Sequence, residues 1–416
     1  MEKEAGLLSE CIENLYPVKI HFAEILGNRW KFVAGNTIDQ NKMFDYQRFE
    51  INSESGIIIY GISLLNERVQ QEIINMFGLI CYENTDELKK SLLFFLSSPL
   101  SALLIAFADK IRQLYCGNEI HLRGLIEFSN YCVCNCRYCG IRKDNDKIQR
   151  YRLEDEQIIE IARQAVGFSC KTVVLQSGED YSYTTERICG LISRIKKETN
   201  CAITLSLGQR SFSDYEKMFN AGADRYLLRF ETSNQDLFKS LRPGSDPARR
   251  LQCLRDLKKA GFQVGSGCMV GLPGQSLEDL VNDILLMLAL DLDMIGIGPF
   301  IANPETPLKD CEKGTLTMMQ KFISLVRIIT KNTHIPATTA VGSIDPLGRH
   351  KILQCGANVI MPNLTPQQYR EHYRLYPDKI CVYEQPGDCH GCVEKIAEGL
   401  GRTISKGYGH SLKNRT

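Results

Sequence analysis

Residues 121–130, HLRGLIEFSN, form an apolar run, and four cysteines follow it directly in residues 131–140, YCVCNCRYCG. From this stretch onward, short apolar or β-branched runs alternate with helix-like segments, which is the pattern of βα units. The later runs are TVVLQSGE from Thr172, AITLSLG from Ala202, RYLLRFE from Arg225, QVGSGCMVG from Gln263, MIGIGPF from Met294, IPATTA from Ile335 and ANVIMPN from Ala357. Eight strands that alternate with helices over about 250 residues predict an α/β protein with a parallel (βα)8 TIM-type barrel.

An open, doubly wound sheet is the alternative arrangement. It is disfavoured because no glycine-rich turn follows the first strand and because there are eight units. The segment from Ser276 to Leu290 has helical periodicity and begins with a Ser-x-x-Asp capping pattern. In a barrel, chemistry is expected at the C-terminal ends of the strands, so candidate residues should follow each run directly.

The chain is predicted to have four parts. Residues 1–84 alternate helical and strand patterns and form an N-terminal α+β extension without a closely spaced cysteine pair, for which we hypothesise a docking or regulatory role. A helical lead-in (85–120) precedes the barrel (121–380). The last part, 381–416, contains a second cysteine group and a basic tail that we expect to be frayed.

Composition limits the function classes. The chain has 416 residues, with 50 Lys+Arg against 49 Asp+Glu, so its net charge of +1 gives no reason to propose nucleic acid or an anionic membrane as a partner. The longest apolar stretch, 91–107, is interrupted by Pro99 and by serines, which favours helices over a membrane span. The N-terminus lacks a signal-peptide pattern, so we expect a cytoplasmic protein. In a cytoplasmic protein, 17 cysteines indicate metal binding or catalysis rather than disulfide bonds.

The cysteine-rich loop offers three thiolates at C-x3-C-x2-C spacing, namely Cys132, Cys136 and Cys139. Thiolates are soft ligands that suit zinc or iron–sulfur clusters, and three of them leave one metal position open for an exogenous molecule. Cys134 offers a fourth thiol, which would make a structural zinc site the alternative. Only one residue separates Cys134 from Cys132 and one from Cys136, so folding it onto the same metal would be hard.

This spacing, with Tyr138 before the last cysteine and at the end of the first barrel strand, resembles the radical S-adenosylmethionine (SAM) superfamily. The resemblance implies that Cys132, Cys136 and Cys139 are the catalytic, metal-binding residues and hold a 4Fe–4S cluster whose open iron binds SAM. It also implies reductive cleavage of SAM to a 5′-deoxyadenosyl radical, and therefore an oxygen-sensitive enzyme of anaerobic metabolism.

The sequences at the strand ends resemble one family within this superfamily. Together LIEFSNYC, VVLQSGED, ADRYLLRFET and GANVIMPNLTP are similar to the HydE family of FeFe-hydrogenase maturases, in the biotin synthase-like branch, from about Glu87 to Tyr408. This implies a role in H-cluster assembly on a small organometallic iron–cysteine precursor, with other hydrogenase maturases and a one-electron donor such as ferredoxin or flavodoxin as partners. The alternatives are another biotin synthase-like enzyme, such as a methylornithine synthase-like mutase, or a non-catalytic iron–sulfur carrier.

The resemblance also assigns residues beyond the cysteines. It places cofactor binding at Tyr138, Ser177, Gly178, Glu179, Thr204, Ser206, Glu231 and Arg250, and substrate contacts at Met269, Thr338, Thr339, Ala340, Met361 and Tyr376. Taken without it, residues 177–179 are an ordinary polar turn, and IPATTA is a small-residue strand. Phe230 departs from the family, in which histidine is found at this position.

A second cysteine group near the C-terminus comprises Cys381, Cys389 and Cys392, spaced C-x7-C-x2-C. It resembles the accessory iron–sulfur site that some HydE members carry, which implies a second cluster of the 2Fe–2S or 4Fe–4S type. A zinc site that recruits His390 is the alternative.

Overall fold

A computed structural model describes residues 1–35, 45–383 and 386–413, without the side chains of residues 386–390. The chain divides into two compact units. The first comprises Met1–Tyr115, Gln320–Lys331 and Gln354–Gly356, and the second comprises Cys116–Met319, Asn332–Leu353 and Ala357–Thr416. Among the described residues, no helix has the length and apolar character that crossing a membrane would require.

The first unit contains a four-stranded antiparallel sheet of order β2-β1-β4-β3, which confirms the predicted α+β extension. Ile20, Phe22, Ile57 and Ile59 alternate along two of its strands and are fully buried, which is the pattern of a sheet face covered by helices. The elements are α1 (Glu2–Leu15), β1 (Lys19–Leu26), β2 (Arg29–Gly35), β3 (Tyr46–Glu50), β4 (Ser55–Tyr60), α2 (Glu67–Gly78), α3 (Thr85–Ser97) and α4 (Ala102–Cys116).

The second unit is the predicted barrel. Its elements up to the fifth barrel strand are β5 (Glu119–Ser129), α5 (Asp155–Gly167), β6 (Thr172–Ser177), α6 (Thr185–Thr199), β7 (Ala202–Ser206), α7 (Phe212–Asn220), β8 (Arg225–Leu227), α8 (Gln235–Leu241), α9 (Pro247–Lys259) and β9 (Gln263–Ser266). They are followed by β10 (Met269–Val270), α10 (Leu277–Ala289), β11 (Met294–Ile295), β12 (Gly298–Pro299), α11 (Leu316–Thr330), α12 (Thr339–Ile344), α13 (Gly348–Gln354), β13 (Val359–Ile360), α14 (Gln367–Arg370), α15 (Pro386–Gly399) and β14 (Thr403–Ile404). Of these, α11 from Gln320 onward and the last residue of α13 belong to the first unit.

The barrel sheet is parallel and runs in the order β11-β9-β8-β7-β6-β5-β13. The segment from His334 to Pro336 closes it, because His334 bridges to Met294 of β11 and Pro336 bridges to Val359 of β13, both in parallel. The predicted run IPATTA therefore supplies the closing position through isolated bridges, and its second half begins helix α12.

Helix starts follow the capping chemistry of the sequence. Helix α10 begins after Ser276, whose hydroxyl accepts from the Asp279 backbone N–H while the Asp279 carboxylate accepts from the Ser276 N–H.

The apolar positions of α6, at Ile188, Leu191, Ile192 and Ile195, recur every three to four residues and are buried. Each such side chain contributes roughly 1.5–3 kcal/mol by leaving water.

The prediction of a frayed C-terminal tail is wrong for residues 403–413. Strand β14 pairs with the start of β5 in parallel, Thr403 opposite Glu119. Beyond it, the Tyr408 carbonyl accepts from Thr172 Oγ1 and from Arg225, and Ser411 Oγ donates to Asp293 at 2.5 Å. These contacts lie at the N-terminal ends of the strands, opposite the cysteine loop.

Candidate functional site

The cysteine loop leaves strand β5 at the C-terminal end of the barrel, as predicted. Its shape is held from within by Arg150, whose guanidinium donates to the backbone carbonyls of Asn130, Ile141, Arg142 and Asn145. A long side chain with five donors is suited to tie several carbonyls of an irregular loop together. One half-buried arginine therefore holds the loop together, and the loop does not depend on regular secondary structure.

Four thiols line one cavity of about 330 Å³ at this end of the barrel, from Cys132, Cys134, Cys136 and Cys139. Hydrogen bonding to Cys134 lowers the pKa of the Cys136 thiol to about 6 despite its burial, whereas burial raises the pKa of Cys139. Within the described part of the chain, no three His, Cys, Asp or Glu side chains are arranged around a single metal ion. A cluster differs from a single ion because each thiolate binds a different iron, so its ligands need not converge on one point.

The turn after β6 lies directly against the cysteine loop. The Glu179 N–H donates to Cys132 Sγ at 3.4 Å, and Val133 N–H donates to the Glu179 carbonyl at 3.0 Å. Gly178 permits this approach, since a Cβ there would lie 2.2 Å from the Tyr131 carbonyl oxygen. The predicted residues Ser177, Gly178 and Glu179 all line the cavity.

Two buried carboxylates face the cavity within a set of arginines. Glu179 lies 3.4 Å from Arg250 and 3.5 Å from Arg242, while Glu231 lies 3.8 Å from Arg242 and 3.1 Å from Arg229. Charges in such a site are tolerated because each carboxylate is paired. Glu231 also has a φ of +70°, which is strained for a residue with a side chain and is typical of functional sites.

The rest of the wall combines apolar and hydroxyl groups. The hydroxyls of Thr204 and Thr338 are buried and have no hydrogen-bond partner within the described chain. Buried hydroxyls normally have a partner, so both can receive one from a bound molecule. Every other predicted cofactor or substrate residue lines the same cavity: Tyr138, Ser206, Glu231, Arg250, Met269, Thr339, Ala340, Met361 and Tyr376. Their roles stay predictions.

Sequence reasoning missed two parts of the wall. Arg242 follows α8 in a turn without a motif, yet it bonds Tyr138 Oη at 3.0 Å and joins both carboxylates. Lys379 pairs at 2.5 Å with Glu127 of β5 and anchors the segment after β13. The position of Glu127 between the apolar residues Ile126 and Phe128, near the end of β5, gave a signal, since a buried charge needs a partner.

The second cysteine group is described only in part. Cys381 is half-buried, Cys392 is exposed with its sulfur 3.9 Å from Arg349 Nη2, and the side chains of Cys389 and His390 lie outside the described residues. The accessory site therefore stays a prediction.

Comparison with known proteins places these features in a family. Residues 126–287 match the model of the radical SAM superfamily. A solved structure of methylornithine synthase superposes with a TM-score of 0.68 at 27% identity, covering 80% of this chain and 97% of that chain. The parallel barrel and the cysteine loop are thus those of a radical SAM enzyme.

Curated relatives narrow the assignment further. The chain is 50% identical over 327 residues to the FeFe hydrogenase maturase subunit HydE of Thermotoga maritima, covering 79% of this chain and 94% of that protein. It is 28% identical to 3-methylornithine synthase of Methanosarcina acetivorans, covering 80% and 93%. The chain belongs to the HydE family of hydrogenase maturases within the radical SAM superfamily.

Proposed function

We propose that this enzyme cleaves SAM reductively and uses the resulting radical in H-cluster maturation, on a small organometallic precursor that carries iron and cysteine. The observation that carries the proposal is the convergence of the motif cysteines, two paired carboxylates and unpartnered hydroxyls on one cavity of about 330 Å³. The 50% identity to HydE supports the same reaction class.

The donor set fits a 4Fe–4S cluster with SAM. Cys132, Cys136 and Cys139 would hold the cluster, which when bound supplies the electron that splits SAM into methionine and a 5′-deoxyadenosyl radical. The Glu179 N–H already donates to Cys132 Sγ at 3.4 Å, as outer hydrogen bonds to ligand sulfurs do. Three thiolate ligands would leave one metal position of the cluster open, and an open position allows an exogenous ligand to bind.

The cavity residues would orient SAM by charge. Glu179 would accept from the methionine amino group, with Ser177 and Gly178 shaping the turn, and Arg250 would pair with the methionine carboxylate. Glu231 would accept from a ribose hydroxyl, as carboxylates do in dinucleotide sites. The unpartnered hydroxyl of Thr204, together with Ser206, would bind the remaining polar atoms.

The opposite wall would bind the substrate. Thr338, Thr339 and Ala340 provide a small, polar surface, and the Thr338 hydroxyl is free to donate. Met269, Met361 and Tyr376 supply apolar area that excludes water, which a primary radical requires.

Anaerobic reconstitution tests the enzyme proposal. The wild type, Cys136→Ala and a control Cys189→Ala on α6 are loaded with iron and sulfide and then mixed with dithionite and SAM. We expect deoxyadenosine from the wild type and the control only, because Cys189 lies outside the cavity lining. If Cys136→Ala formed as much deoxyadenosine as the wild type, the proposal would be wrong. A wild type that takes up iron and sulfide but forms no deoxyadenosine would favour the non-catalytic iron–sulfur carrier.

A genetic experiment tests the substrate class. A strain that lacks this protein should assemble no active FeFe hydrogenase until the wild-type chain is restored. Normal hydrogenase activity without the chain would point instead to a mutase such as methylornithine synthase. The observation that favours this second candidate is the 28% identity to 3-methylornithine synthase.

The remaining assignments belong to the same proposal. Other hydrogenase maturases and ferredoxin or flavodoxin would act as partners in the cytoplasm. A second cluster would be held by Cys381, Cys389 and Cys392. The N-terminal residues 1–84 would form a docking or regulatory domain. Iron content after reconstitution of a Cys392→Ser variant tests the second cluster, because it should fall while deoxyadenosine formation persists. Deleting residues 1–84 tests the module, because maturation in cell extract should then decrease.

A further inference from the structure

The cysteine loop has an inner and an outer face. Cys132, Cys134 and Cys136 line the cavity, whereas Val133 between the first two is 51% exposed and Arg137 after the third is also exposed. The loop is therefore a thin wall between the cavity and solvent. A cavity of about 330 Å³ cannot admit a protein, so a protein that supplies electrons to this site must deliver them through the outer face.

The segment that contains this loop is basic. Between β5 and α5, residues 130–154 hold six Lys and Arg against three Asp and Glu, a net charge of +3 in a chain whose total is +1. Four of the six cations are occupied within the fold, in ion pairs or on carbonyls: Arg142 with Asp144 at 3.7 Å, Lys147 with Glu305 at 2.7 Å, Arg152 with Asp180 at 2.7 Å, and Arg150 on the carbonyls of the loop. The other two, Arg137 and Lys143, are exposed, and neither forms an ion pair with any described residue.

Backbone hydrogen bonds fix these two cations beside the motif. The Lys143 N–H donates to the Cys134 carbonyl at 2.9 Å, and the Arg137 N–H donates to the Leu241 carbonyl at 2.9 Å. Val133 is held in the same loop by its own N–H, which donates to the turn after β6 at 3.0 Å. Val133, Arg137 and Lys143 thus form one surface, the outer face, directly over the residues that line the cavity.

We propose that the outer face is the docking surface for an acidic one-electron carrier protein, which reduces the cluster from outside the cavity. The inference rests on the proposed function, because only a cluster on the motif cysteines requires such an electron. One electron passes from the reduced carrier to the oxidised cluster, the carrier leaves oxidised, and no covalent bond or proton changes. Arg137 and Lys143 would pair with carboxylates of the carrier, and Val133 would add apolar contact area.

Charge decides which partner fits this face. Cations without an ion pair beside an apolar side chain attract a negatively charged surface and speed its association, and salt screens that attraction over a Debye length of about 10 Å at 0.1 M. A second copy of this chain is disfavoured, because a two-fold contact would bring two identical positive faces together. Delivery from outside also leaves the cavity closed to water, which a primary radical requires.

The binding test uses an acidic ferredoxin as the probe and three reconstituted proteins. They are the wild type, the double variant Arg137→Glu/Lys143→Glu, and the control Lys197→Glu/Arg255→Glu, which changes the net charge equally at exposed positions of α6 and α9. Titration calorimetry at about 0.05 M salt should show ferredoxin binding about tenfold weaker in the double variant than in the other two. Its affinity should also depend less on salt up to about 0.3 M.

The activity test compares two reductants on the same proteins. With excess dithionite, which needs no docking, all three should form deoxyadenosine equally. With limiting reduced ferredoxin, formation should fall about tenfold in the double variant alone. Should the double variant also lose activity with dithionite, the single variants Arg137→Gln and Lys143→Gln replace it, and each should weaken ferredoxin binding while dithionite activity persists.

The outcomes separate this inference from the proposed function. Equal ferredoxin affinity and equal ferredoxin-driven rates in the variants and the wild type would overturn the docking surface and leave the proposed function standing. Tighter binding of a single-stranded oligonucleotide than of ferredoxin at this face would also overturn it. A wild type that forms no deoxyadenosine with dithionite would overturn the proposed function, and the docking surface would then be decided by the binding measurement alone.

Discussion

Arg242 connects the two carboxylates of the cavity, and its removal should be costly. It lies 3.5 Å from Glu179 and 3.8 Å from Glu231 with 7% of its side chain exposed. Arg242→Gln should lower the free energy of unfolding by about 1–3 kcal/mol, because both buried carboxylates lose a donor but keep another arginine. Urea unfolding checks this, with Arg249→Gln as the control, since Arg249 is 45% exposed and should lose less than about 1 kcal/mol. Equal losses in the two variants would contradict the connecting role.

Gly178 brings the turn after β6 against the cysteine loop. In Gly178→Ala, the new Cβ would lie 2.2 Å from the Tyr131 carbonyl oxygen and 2.7 Å from Cys132 Cβ, so the loop must move. We expect reconstitution of this variant to give less than half the iron of the wild type. Gly190→Ala is the matched control because, among the described residues beyond its own helix backbone, no atom lies within 4 Å of the added Cβ. Within α6 this substitution should raise stability by about 0.5–1 kcal/mol. Full iron loading in Gly178→Ala would show that the loop tolerates the displacement.

The candidate site was partly predictable from the sequence, for a physical reason. Cys132 and Glu179 each follow a strand directly, and the ends of neighbouring parallel strands must meet, so their proximity could be anticipated. Arg242 follows the short helix α8, and the direction of such a turn depends on packing that no local pattern records. The same holds for Lys379, which reaches Glu127 from a distant loop.

Helix α10 contains two aspartates that should respond to pH in opposite ways. Burial raises the pKa of Asp283 to about 7, and its carboxylate accepts from the Ser233 N–H at 2.5 Å. Because the folded pKa is raised, the stability that protonated Asp283 contributes is complete below the unfolded value of 3.8 and is lost as pH rises toward about 7. Between pH 5 and pH 8 the wild type should therefore lose on the order of 3 kcal/mol relative to Asp283→Asn, measured by urea unfolding.

Asp279 on the same helix is the matched control. Its pKa is lowered although burial opposes this, because it accepts hydrogen bonds from Ser276 and Asn234. A lowered folded pKa gives stability that is complete above the usual value of 3.8 and lost only below it. Asp279→Asn should thus change stability equally at pH 5 and pH 8. A parallel pH dependence in the wild type and Asp283→Asn would contradict the assignment to Asp283.

Strands were harder to predict than helices in this chain. The Ser276 cap and helical periodicity fixed α10 within a residue at each end, because capping is local chemistry. MIGIGPF instead divides into β11 and β12, which pair with different strands, β9 and β10. Pairing is decided by the partner, and glycines at 296 and 298 give little intrinsic preference for strand.

At the scale of the whole barrel, the chemistry and the C-terminal tail occupy opposite ends. The tail supplies carbonyl acceptors to two buried guanidiniums, from Tyr408 to Arg225 at 2.8 Å and from Gly409 to Arg123 at 3.2 Å. Buried arginines without acceptors are costly, so the tail is part of the fold and could not be identified as such from its basic composition.

Truncation should show what the tail contributes. A chain that ends at Arg402 loses β14 and both carbonyls, and we expect its unfolding free energy to fall by about 3 kcal/mol or more, at about 1–3 kcal/mol per unpaired donor. A chain that ends at Lys413 keeps the hydrogen bonds of Tyr408, Gly409 and Ser411 and should match the full-length protein. Thermal and urea unfolding of the three chains decide the question. Equal unfolding midpoints for all three chains would mean that the N-terminal end of the barrel is stable without the tail, and that Arg123 and Arg225 find other acceptors.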